Sequence, residues 1–234
     1  MDYICRCSNV EYKYKGTDKG VFDINMTVEK GSIVGLLGES GSGKSTLAKC
    51  ISGQLEGYTG TIDVQKIGYI FQDNYASLNP KKTVGWLLKE VIRFNDRENL
   101  ERSDELIEKI LGETELEVSV LSHRPNELSG GQRQRVCIAM ALLSKPDLLI
   151  ADEPVSALDV TVQKQVVKLL KRLNEKRGLS ILFISHDIKV VEELCDYLYI
   201  LKEGRIVDEG KAKALFSNSK NEYTRDLLDS SFLF

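Results

Sequence analysis

The run Gly38-Glu39-Ser40-Gly41-Ser42-Gly43-Lys44-Ser45-Thr46 concentrates groups that bind phosphate. It matches G-x-x-x-x-G-K-[ST], in which the glycines let successive backbone N–H groups turn inward toward phosphate oxygens. Lys44 is spaced to reach the β and γ phosphates, and the Ser45 hydroxyl to ligate a divalent cation. A glycine-rich turn with an incidental lysine would share these letters. What separates the two readings is context: the motif needs a strand before it and a helix after it. Residues 33–37 are a continuous apolar run suited to a strand buried on both faces, and residues 45–53 are helix-forming up to the stop at Gly53.

A phosphate site that breaks bonds also needs a carboxylate on the metal side and a group that activates water. Leu148-Leu149-Ile150-Ala151-Asp152-Glu153 supplies both after four apolar residues, at the strand end where open α/β sheets hold ligands. Asp152 is the candidate for Mg²⁺, directly or through water, and Glu153 for orienting and deprotonating the attacking water. A solvated strand end would carry the same pair, but the apolar run argues for burial at the strand tip. A third element, Leu128-Ser129-Gly130-Gly131-Gln132, opens a helix and so offers a second anion-binding N-terminus. Alone, it reads equally well as a helix cap with flexible glycines.

These residues need a scaffold. Phe22, Ile24, Met26 and Val28 alternate on one face of a strand that ends at Lys30-Gly31. Residues 61–64 and 67–71 read as two short strands of a small hairpin across Gln65-Lys66. Between Asn74 and Glu127 the pattern becomes helical amid many charges, at residues 84–92 and 103–111. Beyond it, helices 131–143, 160–175 and 188–195 alternate with strands 148–151, 180–184 and 197–201. In the second of those helices Val162, Val166, Leu169, Leu170 and Leu173 share a face. This alternation predicts an α/β fold with a mostly parallel sheet. We expect a single domain over 1–234, with a core of 1–72 and 128–234 and an inserted helical subdomain of 73–127.

Taken in this order, the three motifs resemble those of the ATP-binding cassette family, the nucleotide-binding subunits of ABC transporters, over about residues 10–228. The resemblance implies a P-loop NTPase cassette with a small antiparallel β-subdomain, using ATP and Mg²⁺. It implies that Ser129, Gly130, Gly131 and Gln132 of one subunit close over the γ-phosphate held by the other, giving composite sites at a head-to-tail dimer interface. Gln72 resembles the family's Q-loop glutamine, near Mg²⁺, the water and the membrane partner; Asp159 in Ser156-Ala157-Leu158-Asp159 resembles the D-loop; His186 resembles the switch histidine at the γ-phosphate. Tyr14 aligns with the aromatic that stacks on adenine, Tyr12 being the competing assignment. His123 is read as structural.

Residues 72–80, 152–160 and 222–228 are similar to the branch that serves dipeptide, oligopeptide and nickel uptake, whose importers usually pair two non-identical ATPases. That resemblance implies two transmembrane permease subunits docking near Gln72 and the helical insertion, around Tyr75 to Trp86. It also implies an extracytoplasmic binding protein acting indirectly, and a peripheral position on the cytoplasmic face of the membrane. Two departures stand out. The interval from Gly53 to Gln72 is short, which suggests a trimmed β-subdomain. The chain also stops soon after Leu228, without the cysteine-bearing extension of many members, so no iron–sulfur cluster is expected.

Composition narrows the alternatives. Lys+Arg 32 against Asp+Glu 35 gives a net charge of -3, which lacks the basic excess of a broad nucleic-acid binder. No apolar run approaches a membrane span, and the N-terminus lacks the pattern of a secretory signal. The cysteines, Cys5, Cys7, Cys50, Cys137 and Cys195, are odd in number and form no C-x-x-C pair, which suits a reducing cytosol. One rival, a soluble cassette ATPase of DNA repair or translation, needs a long coiled-coil insertion or a second cassette. The other, a P-loop kinase or GTPase, needs for GTP a guanine-reading N-K-x-D after a strand, whereas Ser144-Lys145-Pro146-Asp147 precedes one.

Overall fold

Two sheets organise the chain, and the apolar patterning of their strands differs accordingly. In this computed structural model residues 3–73 and 77–231 are described; Asn74, Tyr75 and Ala76, part of the expected docking segment, lie outside them, as do 232–234. The first sheet is antiparallel, with β1 (Tyr3–Lys13) between β2 (Gly20–Glu29) and β4 (Thr59–Val64). The second holds β3 (Ile33–Leu37), β5 (Ile67–Ile70), β6 (Leu148–Asp152), β7 (Ser180–Ser185), β8 (Tyr197–Lys202) and β9 (Arg205–Lys211). Its order is β5-β6-β7-β3-β8-β9, parallel except for the β8–β9 pair.

Every residue of β3, β6 and β7 is buried, the condition for which continuous apolar runs are suited. Ile33, Leu37, Leu149, Ala151, Ile181 and Phe183 face one apolar cluster, while Val34, Leu36, Leu148, Ile150, Leu182 and Ile184 face another. The second cluster is closed by α1 (Lys44–Ile51) and the inner face of the antiparallel sheet. The first is closed by the remaining helices: α2 (Val84–Asn95), α3 (Ser103–Glu113), α4 (Gly130–Leu143), α5 (Val160–Arg177), α6 (Ile188–Leu194) and α7 (Ala212–Asn218), with α8 (Glu222–Ser231) reaching it through Leu228. Emptying the Phe183 position to alanine would cost about 3–5 kcal/mol by the usual cavity scale, a large share of a domain's stability.

Three local expectations change. Strands β4 and β5 form no hairpin: β4 pairs with β1 and β5 with β6, so Gln65-Lys66 carries the chain from one sheet to the other. The crossing is pinned where Asp147 donates its N–H to the Lys66 carbonyl and accepts from the Lys66 N–H. Phe22 does not share the buried face of Ile24, Met26 and Val28. A bulge at Asp23, whose φ is 53°, shifts the register so that Val21 is buried and Phe22 is left beneath Arg205. In α5, Val167 joins the buried face and Val162 is only half-buried. Cys5 and Cys7 on β1 and Cys50, Cys137 and Cys195 in or at the end of helices are all buried free thiols.

Candidate functional site

Parallel pairing delivers the chemistry to one edge. Because β5, β6, β7 and β3 are adjacent and parallel, their C-terminal ends release Gln72, Asp152-Glu153, His186 and the Gly38 loop side by side.

The loop from Gly38 to Gly43 leads straight into α1, which has Gly43 as its N-cap and no side chain bonded there. The first N–H groups of α1 therefore lack a capping acceptor and carry the positive end of the helix dipole, a combination that binds anions. The loop packs closely on β8: a Cβ at Gly38 would fall 2.2 Å from the Leu201 carbonyl oxygen, which demands glycine. The β8–β9 turn supports it through Gly204, which donates to the Ser42 carbonyl at 2.8 Å. Ser42 Oγ is buried without a hydrogen-bond partner among the described residues, a cost that a phosphate oxygen would relieve. Lys44 is 4% exposed and donates to the carbonyls of Gly38 at 2.7 Å and Glu39 at 2.8 Å. Burial pushes its ammonium below the ordinary lysine value, opposed by the charges of Glu153, Asp152 and Glu39.

Asp152 ends β6 and is likewise 4% exposed. Ser45 Oγ donates to its Oδ1 at 3.1 Å and the Tyr69 hydroxyl donates to its Oδ2 at 3.0 Å. Burial raises its pKa, and those two hydrogen bonds and Lys49 pull the other way. The Ser45 hydroxyl and the Asp152 carboxylate are adjacent oxygen donors, the chemistry that hard cations such as Mg²⁺ select, so the residues present fit that ion.

Glu153 departs from the strand with φ at 47°, a left-handed conformation that non-glycine residues rarely adopt. Its N–H donates to the Ile184 carbonyl, and Ser156 donates both its N–H and its hydroxyl to the Glu153 carbonyl. The turn carries the side chain out of the strand to where Gln72 Nε2 donates to Oε2 at 3.3 Å and His186 Nδ1 lies 3.2 Å from Oε1. The carboxylate is 12% exposed, whereas the His186 ring is 55% exposed. At the other side of the loop, the Tyr14 hydroxyl lies 3.3 Å from Thr46 Oγ1 with the Tyr12 ring edge-on to it, so Tyr14 is the aromatic that touches the phosphate loop.

Residues Ser129–Gln132 form a separate group. Ser129 caps α4: its Oγ accepts from the Gln132 N–H while Gln132 Oε1 accepts from the Ser129 N–H. A Cβ at Gly131 would fall 2.8 Å from Val162 Cγ1, so the start of α4 rests on the first turn of α5, which Asp159 caps by accepting from the Val162 N–H. Among the described residues no hydrogen bond links Ser129–Gln132 to the Gly38–Thr46 loop. His123 sits outside both groups, its Nδ1 2.9 Å from the Ser119 carbonyl. Sequence reasoning passed over Tyr69 and Gly204. The first was detectable only from the pairing of β5 with β6, and the second only from the approach of the β8–β9 turn.

Comparison with known proteins shows the family to which this fold belongs. The family description "ABC transporter" matches residues 21–156. A peptide import ATP-binding protein of Brucella ovis is 40% identical over 89% of this chain and 71% of its own length. The dipeptide transport ATP-binding protein of Haemophilus influenzae is 35% identical over 94% and 75%, and the oligopeptide transport ATP-binding protein of Lactococcus lactis 38% over 88% and 70%. Among solved structures, CbiO1 of Clostridium perfringens, part of the ABC transporter complex CbiONQ, superposes with a TM-score of 0.82 at 28% identity, covering 93% of this chain and 92% of that one. An ATP-binding cassette solved as a dimer in a post-hydrolysis state bound to ADP and Pi gives 0.74 at 30% identity, covering 89% and 98%.

Proposed function

Because the chain belongs to the ABC transporter family, and is an ATP-binding, ATP-hydrolysing cassette of it, we propose that it drives the import of peptides through separate membrane subunits. Nickel or metal chelates are the second class of cargo within the same branch. The observation that carries the proposal is the single cluster at the sheet edge. Glu153 is held between Gln72 and His186, next to Asp152, Ser45 and a phosphate loop that leads into a helix start with no side-chain cap and keeps Ser42 Oγ buried without a hydrogen-bond partner among the described residues.

In this reading the loop amides of residues 38–46 and Lys44 bind the phosphates, and Tyr14 takes the adenine by stacking, worth about 1–3 kcal/mol per base in nucleic-acid systems. Ser45, Asp152 and Gln72 would hold Mg²⁺, which when bound neutralises the phosphate oxygens. Glu153 accepts the proton of the attacking water, and Gln72 and His186 fix the orientation of its carboxylate. The desolvated Lys44 acts on the developing charge more strongly than an exposed lysine would.

A second cassette, identical or a sibling, supplies Ser129, Gly130, Gly131, Gln132 and Asp159 to this phosphate loop and receives the same from it. Among the described residues Ser129–Gln132 make no hydrogen bond to the phosphate loop of their own chain, which supports that division. We read 1–72 and 128–234 as the ATPase core and 73–127 as a helical subdomain. Two permease subunits dock beside Gln72, where Phe71 and Trp86 are 44% and 42% exposed and a groove of about 270 Å³ opens between Phe71, Leu78, Val91 and Met140. No helix among the described residues is long and apolar enough to cross a membrane, so attachment to the cytoplasmic face comes through those subunits, and a binding protein on the far side acts only indirectly.

The test is turnover per chain across a dilution series followed by light scattering, alone and with the sibling cassette, together with peptide and nickel uptake in the reconstituted transporter. Turnover should fall as the dimer dissociates, and peptide uptake should depend on ATP. Full turnover by a verified monomer would overturn the composite site.

A further inference from the structure

Tyr69 is the one uncharged side chain besides Ser45 with a hydrogen bond to Asp152 among the described residues. It stands opposite Ile150 in the β5–β6 register, so Asp152 is its diagonal neighbour two residues on, on the same face of the sheet. That diagonal is within reach of a long aromatic side chain. The ring packs against the buried cluster beneath α1 and lies 4.6 Å, centroid to centroid, from Phe71, just before Gln72.

We propose that Tyr69 is a positioning residue for the divalent cation: its hydroxyl occupies Asp152 Oδ2 and fixes the carboxylate so that Oδ1, beside the Ser45 hydroxyl, is the oxygen presented to the ion. The hydroxyl replaces a water that would otherwise bind Oδ2 and let the carboxylate rotate. The ring orients the hydroxyl because it is clamped by apolar neighbours on one side and Phe71 on the other. Partners of this kind behind a ligating side chain are worth about 10–100-fold in metal affinity or activity. The proposal rests on the assignment of Asp152 to the metal, and its test separates the two.

Mn²⁺ serves as the probe, its binding to the protein saturated with a non-hydrolysable ATP analogue being read by electron paramagnetic resonance. Wild type, Tyr69→Phe and Asp152→Asn are compared. Phenylalanine keeps the ring and its packing and removes only the hydroxyl. Tyr69→Phe should weaken Mn²⁺ binding by about 10–100-fold, with the binding of the analogue in EDTA unchanged. Unaltered Mn²⁺ affinity in Tyr69→Phe while Asp152→Asn loses it would overturn the proposal and leave the Asp152 assignment standing. Unaltered affinity in Asp152→Asn would instead overturn that assignment. An equal loss of analogue binding in EDTA by Tyr69→Phe would place the hydroxyl in the support of the phosphate loop and also sink the proposal.

Discussion

Asp152 and Glu115 are both carboxylates bonded to two side-chain donors, yet the fold moves them in opposite directions. Asp152 ends a fully buried strand, and desolvation raises its pKa despite the hydrogen bonds from Tyr69 and Ser45. Glu115 sits beyond α3 in a left-handed conformation, half-open to solvent, where Arg172 of α5 and Arg135 of α4 hold its carboxyl below the usual carboxylate range. Neighbouring ion pairs, Arg177 with Glu113 and Lys145 with Asp96, repeat the second arrangement between the helices that follow β5 and the rest of the chain. One cluster is thus satisfied by partners already in the chain. The other holds its carboxylate, and Lys44 beside it, in surroundings that disfavour their charges. Charges that the fold hydrogen-bonds but strips of solvent are what an incoming phosphate and cation can complete, and that is the physical mark separating the site from a structural clasp.

Replacing a glutamate by glutamine in each cluster gives the widest contrast. Glu153→Gln keeps a side chain of the same length between Gln72 and His186 but cannot take a proton from water. Turnover should fall by about 10²–10⁴, the range for a general base, with ATP affinity retained. Glu115→Gln should leave turnover near that of the wild type. Phosphate release and nucleotide binding measured on both variants decide the matter, and normal turnover in Glu153→Gln would remove that residue from the chemistry.

The strand ends at the motifs were readable in advance because they are set by local geometry: a strand must end where Gly38 begins, and an apolar run must end at Asp152. The mostly parallel core followed from the same alternation. What depended on partners distant in sequence was not readable. The break between β4 and β5 is decided by β1 and β6, not by Gln65-Lys66. The loss of Phe22 from the buried face comes from a bulge at Asp23 that period-two counting cannot register. Tyr69 is one aromatic in a short strand, and only the register of β5 against β6 sets its hydroxyl on Asp152. The clasp at Glu115 was passed over for the same reason, since its arginines lie 20 and 57 residues further along the chain.

If burial rather than partnering governs Asp152, removing its charge should stabilise the empty protein. Between the ordinary aspartate value and its raised folded value, the folded chain keeps a proton that the unfolded chain has released. This group therefore subtracts stability as pH rises, and does so fully above the folded value. Asp152→Asn preserves an acceptor for Ser45 and a partner for Tyr69 while abolishing that penalty. In nucleotide-free protein with EDTA at neutral pH its melting temperature should rise by a few degrees, since ~1 kcal/mol corresponds to roughly 2–4 °C at this size. A fall would mean that the charge is already compensated.

Glu115 should show the opposite sign and a smaller effect. Its folded pKa lies below the unfolded one, first through the hydrogen bond from Arg172 and then, against burial, through Arg135. The stability it contributes is complete above the unfolded glutamate value and is lost as pH falls through the depressed folded value. With the carboxylate side chain 44% exposed, solvent screening limits that contribution to within about 1 kcal/mol. Glu115→Gln should therefore lower the urea midpoint slightly at neutral pH and flatten its decline in acid, with the two curves converging at the acid end. Parallel curves offset by a constant amount would show that Arg135 and Arg172 hold this turn by shape rather than by charge, and the contrast with Asp152 would then rest on burial alone.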